Sequence, residues 1–323
     1  MTPARSQARH GAAINLVNDH LTGALVDGLR RRGLRPIVLK GASVRRLLYG
    51  SSDERTSNDI DLLVSPTELP PVEAALPSLH WRYIGVTALG AGRDYRTTWM
   101  HEPTGIPLEI HTSLVGIGAP PVAVWRVLTA RTESMEIGGT AVEVLDTPAR
   151  AFHVAIHAAQ HGRAGVTTIG DLERALAHVS SGVWREAAEL AARLDAIPAF
   201  AGGLGLAPRG QTLLRELAIE ASSTPDVALR LETAPPLSQG LVWLSQLPST
   251  GARVRFVART LLPPPGYLRV WSPMARRGTV GLIMAYCWRP FWMLRHVVPA
   301  MRAWRNATRG LGEARPRARR AGR

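Results

Sequence analysis

The apolar residues of this chain change period once, at Asp146–Thr147, and that change limits the folds open to it. Before it, strand-length runs at 36–39, 60–64, 81–87, 95–101 and 106–111 alternate with helical spacing at 14–29, 43–49 and 122–130. Gly33 ends the first helix, Pro66 opens another, 50–58 is loop, and Gly138-Gly139 is the turn of a hairpin. After it the spacing is helical, over 147–161, 168–179, 183–194, 210–221 and 236–247, with Thr147 as cap and Pro148 at the first position. The expected class is therefore α+β. An α/β-type domain with a mixed sheet spans 1–146, and an α-helical domain spans 147–250. A basic amphipathic helical extension covers 251–311, and 312–323 is an Arg-rich tail expected to be disordered.

Composition narrows the function classes. Apolar residues make up 46% and charged residues 20%, which excludes a wholly disordered chain. Cys287 stands alone, which excludes a disulfide framework and a cysteine-based zinc site. The net charge of +14 is concentrated at one end: residues 251–323 hold sixteen arginines and one acid, Glu313. Residues 1–250 carry 23 basic and 24 acidic groups, so the body is balanced and is not a uniformly basic nucleic-acid binder. Met1 to His10 is polar and no apolar stretch follows it; the expected location is the cytoplasm. The longest uncharged apolar stretch near the C-terminus, 278–288, is too short to cross a bilayer. Lys40 is the single lysine.

The strongest chemical signal is Ser57-Asn58-Asp59-Ile60-Asp61-Leu62-Leu63-Val64. Residues two apart on a strand share a face, so Asp59 and Asp61 project together. Adjacent carboxylates repel unless a cation lies between them, and a hard divalent ion suits the arrangement. Upstream, Val38-Leu39-Lys40-Gly41-Ala42-Ser43 reads as strand, small-residue turn and helix start, a shape that offers backbone N–H groups to phosphate. Lys40 and Arg55 are candidate triphosphate contacts. Downstream, Pro107-Leu108-Glu109-Ile110-His111 is a strand with a central carboxylate. His111 is assigned to the face opposite Glu109 and kept outside the site.

These residues resemble the nucleotidyltransferase superfamily of DNA polymerase β, and within it the bacterial uncharacterised or minimal nucleotidyltransferases. The matching motifs are Leu39-Lys40-Gly41-Ala42, Arg55-x-Ser57-x-Asp59-Ile60-Asp61-Leu62-Leu63-Val64 and Leu108-Glu109-Ile110-His111. Phe152-x4-His157-x3-His161, Gly170-Asp171-Leu172 and Trp288-Arg289-Pro290 also match, so the resemblance covers roughly residues 12–305. It implies Mg²⁺- or Mn²⁺-dependent transfer of a nucleoside monophosphate from a triphosphate to a hydroxyl-type acceptor. The acceptor can be a small molecule, peptide, sugar, RNA or protein, in natural-product or polysaccharide tailoring. Asp59, Asp61 and Glu109 would hold the metal; Glu109 can instead act as base. Lys40, Gly41, Ser43, Arg55 and Ser57 would bind the nucleotide. The superfamily's Gly-Ser or Gly-Gly turn is here Gly41-Ala42-Ser43, at a longer spacing from Asp59, which bears on triphosphate affinity.

His153, His157 and His161 form one stripe on a helix. The residue after His157 is Ala158, so no His-Glu-x-x-His zinc motif is formed. His157, His161 and Asp171 are read as a hydrogen-bonded contact within the helical region, with the acceptor side of the cleft as the other reading. Gly202-Gly203-Leu204-Gly205 follows a helix rather than a strand and fails as a dinucleotide loop. In the extension, Arg295, Arg302, Arg305 and Arg309 are expected to form a basic stripe opposite Leu294, Val297, Val298, Met301 and Trp304, interrupted at Pro290 and Pro299. Such a surface, residues 276–309, suits the inner face of a membrane, an acidic partner or the protein itself. Two further hypotheses stand beside the enzyme: a catalytically degenerate nucleotide- or partner-binding module, and a membrane-surface adaptor.

Overall fold

The computed structural model describes residues 3–50, 55–89, 94–220 and 223–320. Positions 51–54 of the expected loop and 321–323 of the expected tail lie outside the described residues. The strand-length runs of the first 146 residues close into one seven-stranded mixed sheet. In chain order they are β1 (Ile37–Val38), β2 (Ile60–Leu63), β3 (Trp81–Leu89), β4 (Asp94–His101), β5 (Pro107–His111), β6 (Thr132–Ile137) and β7 (Thr140–Leu145), arranged β3-β4-β5-β2-β1-β7-β6. β2 lies at the centre, antiparallel to β1 and parallel to β5. All four β2 residues are buried, as a central strand covered on both faces requires. The hairpin of β6 and β7 turns at Gly138-Gly139 as expected.

Helix α1 (Pro3–Arg30) precedes β1, and α2 (Ala42–Tyr49), α3 (Leu69–Ala75) and α4 (Pro121–Leu128) connect strands. Pro66 does not open α3. The chain first turns at 65–68, and Pro70 and Pro71 sit in the helix's first turn, where their missing N–H groups cost nothing. From α1, Leu25, Val26 and Leu29 cover the sheet face that carries Ile60, Leu62, Leu108, Ile110 and Val144.

The opposite sheet face, with Ile37, Leu39, Leu63 and Leu145, packs against the helical half of the chain, so one core cluster is shared across position 146. That half contains α5 (Thr147–His161), α6 (Val166–His178), α7 (Ser181–Arg193), α8 (Ile197–Leu204), α9 (Pro208–Glu216), α10 (Pro225–Leu231) and α11 (Pro236–Gln246). Asp146, rather than Thr147, caps α5: its carboxylate accepts the Ala149 N–H at 3.0 Å. The rejected dinucleotide loop is α8. A Cβ at Gly203 would lie 1.9 Å from the Ala155 carbonyl oxygen, so glycine is what lets α8 cross α5 closely.

The extension is helical throughout: α12 (Thr250–Leu261), α13 (Pro265–Trp271) and α14 (Gly278–Arg320). α14 runs through Pro290 and Pro299, and it continues to Arg320 where a disordered tail was expected from 312. Arg and Ala dominate that tail and are strong helix formers. The expected two-faced pattern is also revised. Leu294 and Val298 are exposed, on the side of Arg295 and Arg302 rather than opposite them. The inner face is instead Ala285, Arg289 and Ala300. Arg289 lies over the Trp271 ring, 4.8 Å from its centroid, and donates from Nε to Thr260 O at 2.8 Å.

Candidate active site

The two carboxylates of the Asp-x-Asp run enter the sheet at different depths. Asp59 precedes β2 and is one-third exposed, whereas Asp61 is fully enclosed. The loop ahead of them is held by α1. Asn15 donates to Arg55 O at 3.0 Å and accepts the Ser57 N–H at 3.1 Å, and Asn18 donates to Ser57 O. Lys40, just past β1, joins the pair: its Nζ is 3.2 Å from Asp59 Oδ2 and 3.1 Å from Asp61 Oδ2. Parallel pairing sets Glu109 beside Asp61.

His111 belongs to this cluster, which corrects its assignment to the opposite face. It stands two residues after Glu109 on β5, and a strand's period of two gives both the same face. Its Nε2 is 3.0 Å from Asp61 Oδ1 and 3.6 Å from Glu109 Oε2. Arg96 on β4, opposite His111 in the register, donates from Nη1 to Glu109 Oε2 at 2.7 Å. Sequence reasoning missed Arg96. Its signal was the alternation of β4, where Thr97 and Trp99 are buried on one face and Arg96 takes the other.

Electrostatics follow from enclosure. Burial opposes the Lys40 charge, but attraction from Asp61, then Asp59 and Glu109, overcomes it and holds the ammonium above its usual range. Burial likewise opposes ionisation of Asp61, and Lys40 and His111 hold that carboxylate well below its usual range. Glu109 goes the other way: burial and the nearby Asp61 charge raise it, against Arg96.

Across the cleft stands α5. Its histidine stripe lines a cavity of about 190 Å³ together with Lys40, Asp59, Arg96, Glu109 and His111. The rings run in series, with centroids 5.7 Å apart for His153–His157 and 4.8 Å for His157–His161. Burial, then the Lys40 charge, pushes His153 down to about 4 and His157 well below its ordinary 6.5. Unfolded imidazoles take up protons below pH 6.5, whereas folded His153 does so only near pH 4. In that window the unfolded state binds more protons, so stability falls as pH drops, by up to about 1.4 kcal/mol per pH unit for each imidazole. Urea denaturation at several pH values is expected to show this slope, reduced in His157→Gln; an unchanged slope would count against buried neutral imidazoles.

Five of the expected residues, Gly41, Ser43, Arg55, Ser57 and Asp171, do not line the cavity. Arg55 turns to Asp171, with Nε 2.9 Å from both carboxylate oxygens, and its Nη1 donates to Ser57 Oγ at 3.1 Å. Asp171 also accepts from Tyr49 Oη at 2.8 Å. The expected contact of Asp171 with His157 and His161 is therefore not formed: the acid faces α2 and the pre-β2 loop, while the histidines face the cavity. Ser43 is buried and donates its hydroxyl to Leu39 O at 3.0 Å. Gly41 heads α2 with a φ of +68°, close to Ser57. A larger apolar groove of about 700 Å³ shares no lining residue with this cavity; it lies between α11, α12 and α14 and is lined by Leu241, Val254, Val257 and Trp304.

Two carboxylates and an imidazole form a candidate site for a divalent cation. Asp61, Glu109 and His111 can each present a ligand atom within 4.8 Å of the others, and a lysine ammonium lies between Asp61 and Asp59. A mixed sheet whose central strand carries Asp-x-Asp, completed by an acid on the next strand, has the build of a nucleotidyltransferase. The profile of the uncharacterised nucleotidyltransferase family matches residues 5–209, and the chain belongs to that family. Among solved structures it is similar to the antibiotic-resistance factor ANT(2'')-Ia in solution, at 15% identity over 56% of this chain and 95% of that one, with a TM-score of 0.40. The same factor in complex with adenylyl-2''-tobramycin gives 16%, 52%, 94% and 0.36. An antigenic nucleotidyltransferase-like protein from Paracoccidioides brasiliensis gives 14%, 55%, 93% and 0.34. At these identities and scores the likeness says nothing of substrate. No curated protein matches the chain.

Proposed function

We propose that the chain transfers a nucleoside monophosphate from a triphosphate to a hydroxyl-type acceptor, with Mg²⁺ or Mn²⁺. The observation that carries this reading is that Asp59 and Glu109 line one cavity, with the enclosed Asp61 beside Glu109 in the register and Lys40 between the two aspartates. Asp59, Asp61 and Glu109, with His111, would hold the cation. A divalent ion bound there would supply charge neutralisation on the phosphates and acidify the attacking hydroxyl. In the transfer the acceptor oxygen bonds to the α-phosphorus, the bond from that phosphorus to the bridging oxygen breaks, and pyrophosphate leaves. If Glu109 instead stays free of the cation, its raised proton affinity suits it to take the acceptor's proton at Oε. Lys40 and Arg96 place positive charge along the cavity for the phosphates. The stripe of His153, His157 and His161 forms the opposite wall, where the acceptor would lie.

Two observations favour a second reading, a degenerate nucleotide-binding module. Ser43 and Arg55, both expected at the phosphates, are engaged by Leu39 and Asp171. One experiment separates the two. Each α-labelled triphosphate is offered with Mg²⁺ or Mn²⁺ and a lysate of the source organism. Label moving into an acceptor, with pyrophosphate released, is the expected outcome. Metal-dependent triphosphate binding without either product would select the degenerate module.

A further inference from the structure

α14 leaves an apolar ridge uncovered. Val280, Ile283, Met284, Trp288, Phe291, Leu294 and Val298 are all exposed; Trp288 is 52%, Phe291 66% and Leu294 68% accessible. Their spacing of three and four keeps them on one side of the helix over about 27 Å. Residues on the other side, including Ala285 and Arg289, are buried against the protein. The same exposed side continues as Arg302, Arg305 and Arg309, with Arg295 beside Leu294 and Arg276 and Arg277 ahead of Val280. No acid occurs between 251 and 312.

We propose that this ridge docks the protein onto an anionic lipid surface. Charge decides among the occupants. A second copy laid on the ridge would bring Arg276, Arg277 and Arg295 of both chains together with no acid in the extension to offset them. An acidic protein would match the arginines, but it would need its own groove for a projecting row of Trp, Phe and Leu. A bilayer interface accepts such a row without a preformed groove, while the arginine stems lie along the apolar boundary and their heads reach the phosphates. Among the described residues no helix is long and apolar enough to cross a membrane, so the contact is with the surface. It is independent of the transfer reaction.

The test uses the full chain and vesicles of phosphatidylcholine with or without phosphatidylglycerol. Co-sedimentation with the anionic vesicles is expected, weak with phosphatidylcholine alone and reduced by salt. Trp288→Glu/Phe291→Glu replaces exposed side chains only, so the fold should persist by circular dichroism while vesicle affinity drops about tenfold or more. Arg302→Glu/Arg305→Glu should lose affinity for anionic vesicles alone. Three results would overturn the proposal. One is no binding by the native chain. Another is equal binding by the Trp288→Glu/Phe291→Glu variant, which would make the contact purely electrostatic. The third is that variant disrupting either a dimer seen by light scattering or binding to soluble polyglutamate, while vesicles are ignored.

Discussion

Asp61→Asn is expected to lower nucleotidyl transfer on the order of 10³-fold while the chain stays folded. The substitution keeps the shape of a side chain enclosed beneath Lys40, His111 and Glu109, removes its charge and turns one of its two acceptor oxygens into an N–H donor. It takes a carboxylate from the cation site and leaves the Lys40 ammonium with Asp59 as its close partner. Transfer rates and urea midpoints for the same preparation distinguish the two effects. A rate within a few-fold of the native value would mean that the chemistry does not pass through this carboxylate. A rate loss matched by loss of the folded state would assign Asp61 to stability instead.

The second large effect concerns Arg55. Its ion pair with Asp171 is nearly closed to solvent, with side chains 10% and 3% exposed. Removing one partner of such a pair strands a buried charge, so Asp171→Ala is expected to cost about 3–5 kcal/mol in urea denaturation. Arg55→Ala should cost a similar amount, and the double variant clearly less than the sum, because no orphaned charge remains. Additive losses would contradict a direct pair. If Arg55 instead served the triphosphate, its removal would raise the KM for nucleotide and leave stability nearly unchanged.

The contrast between Asp61 and Arg55 shows what local pattern can and cannot reveal. The nearness of Asp59, just ahead of β2, to Asp61 within it was legible because the strand's period is a property of a few consecutive residues. The β6–β7 hairpin and α5 were legible for the same reason: a two-glycine turn and a capped, evenly spaced apolar helix. Arg55 looked like a phosphate ligand because its partner stands 116 residues away, which no local pattern reports. His111 was within reach, since strand parity alone places it with Glu109. The prolines of the helical half open helices: Pro236 starts α11 where a helix was expected from 236, whereas Pro198, Pro225 and Pro265 sit in the first turns of α8, α10 and α13, which the expected set of helices did not contain. α12 and α14 fall within the extension expected to be helical over 251–311, but which residues face inward was not legible there, because exposed faces that mix valine, tryptophan and arginine blur the usual apolar stripe.

The account rests on Asp59, Asp61 and Glu109 forming a cation site that works with a triphosphate. Electron paramagnetic resonance of Mn²⁺, titrated into the protein with a non-hydrolysable triphosphate, tests it without knowledge of the acceptor. The native chain should bind Mn²⁺ in a nucleotide-dependent way, and Asp59→Ala/Asp61→Ala, folded by circular dichroism, should not. Equal Mn²⁺ uptake by the folded variant, or none by the native chain with any of the four nucleotides, would contradict the account.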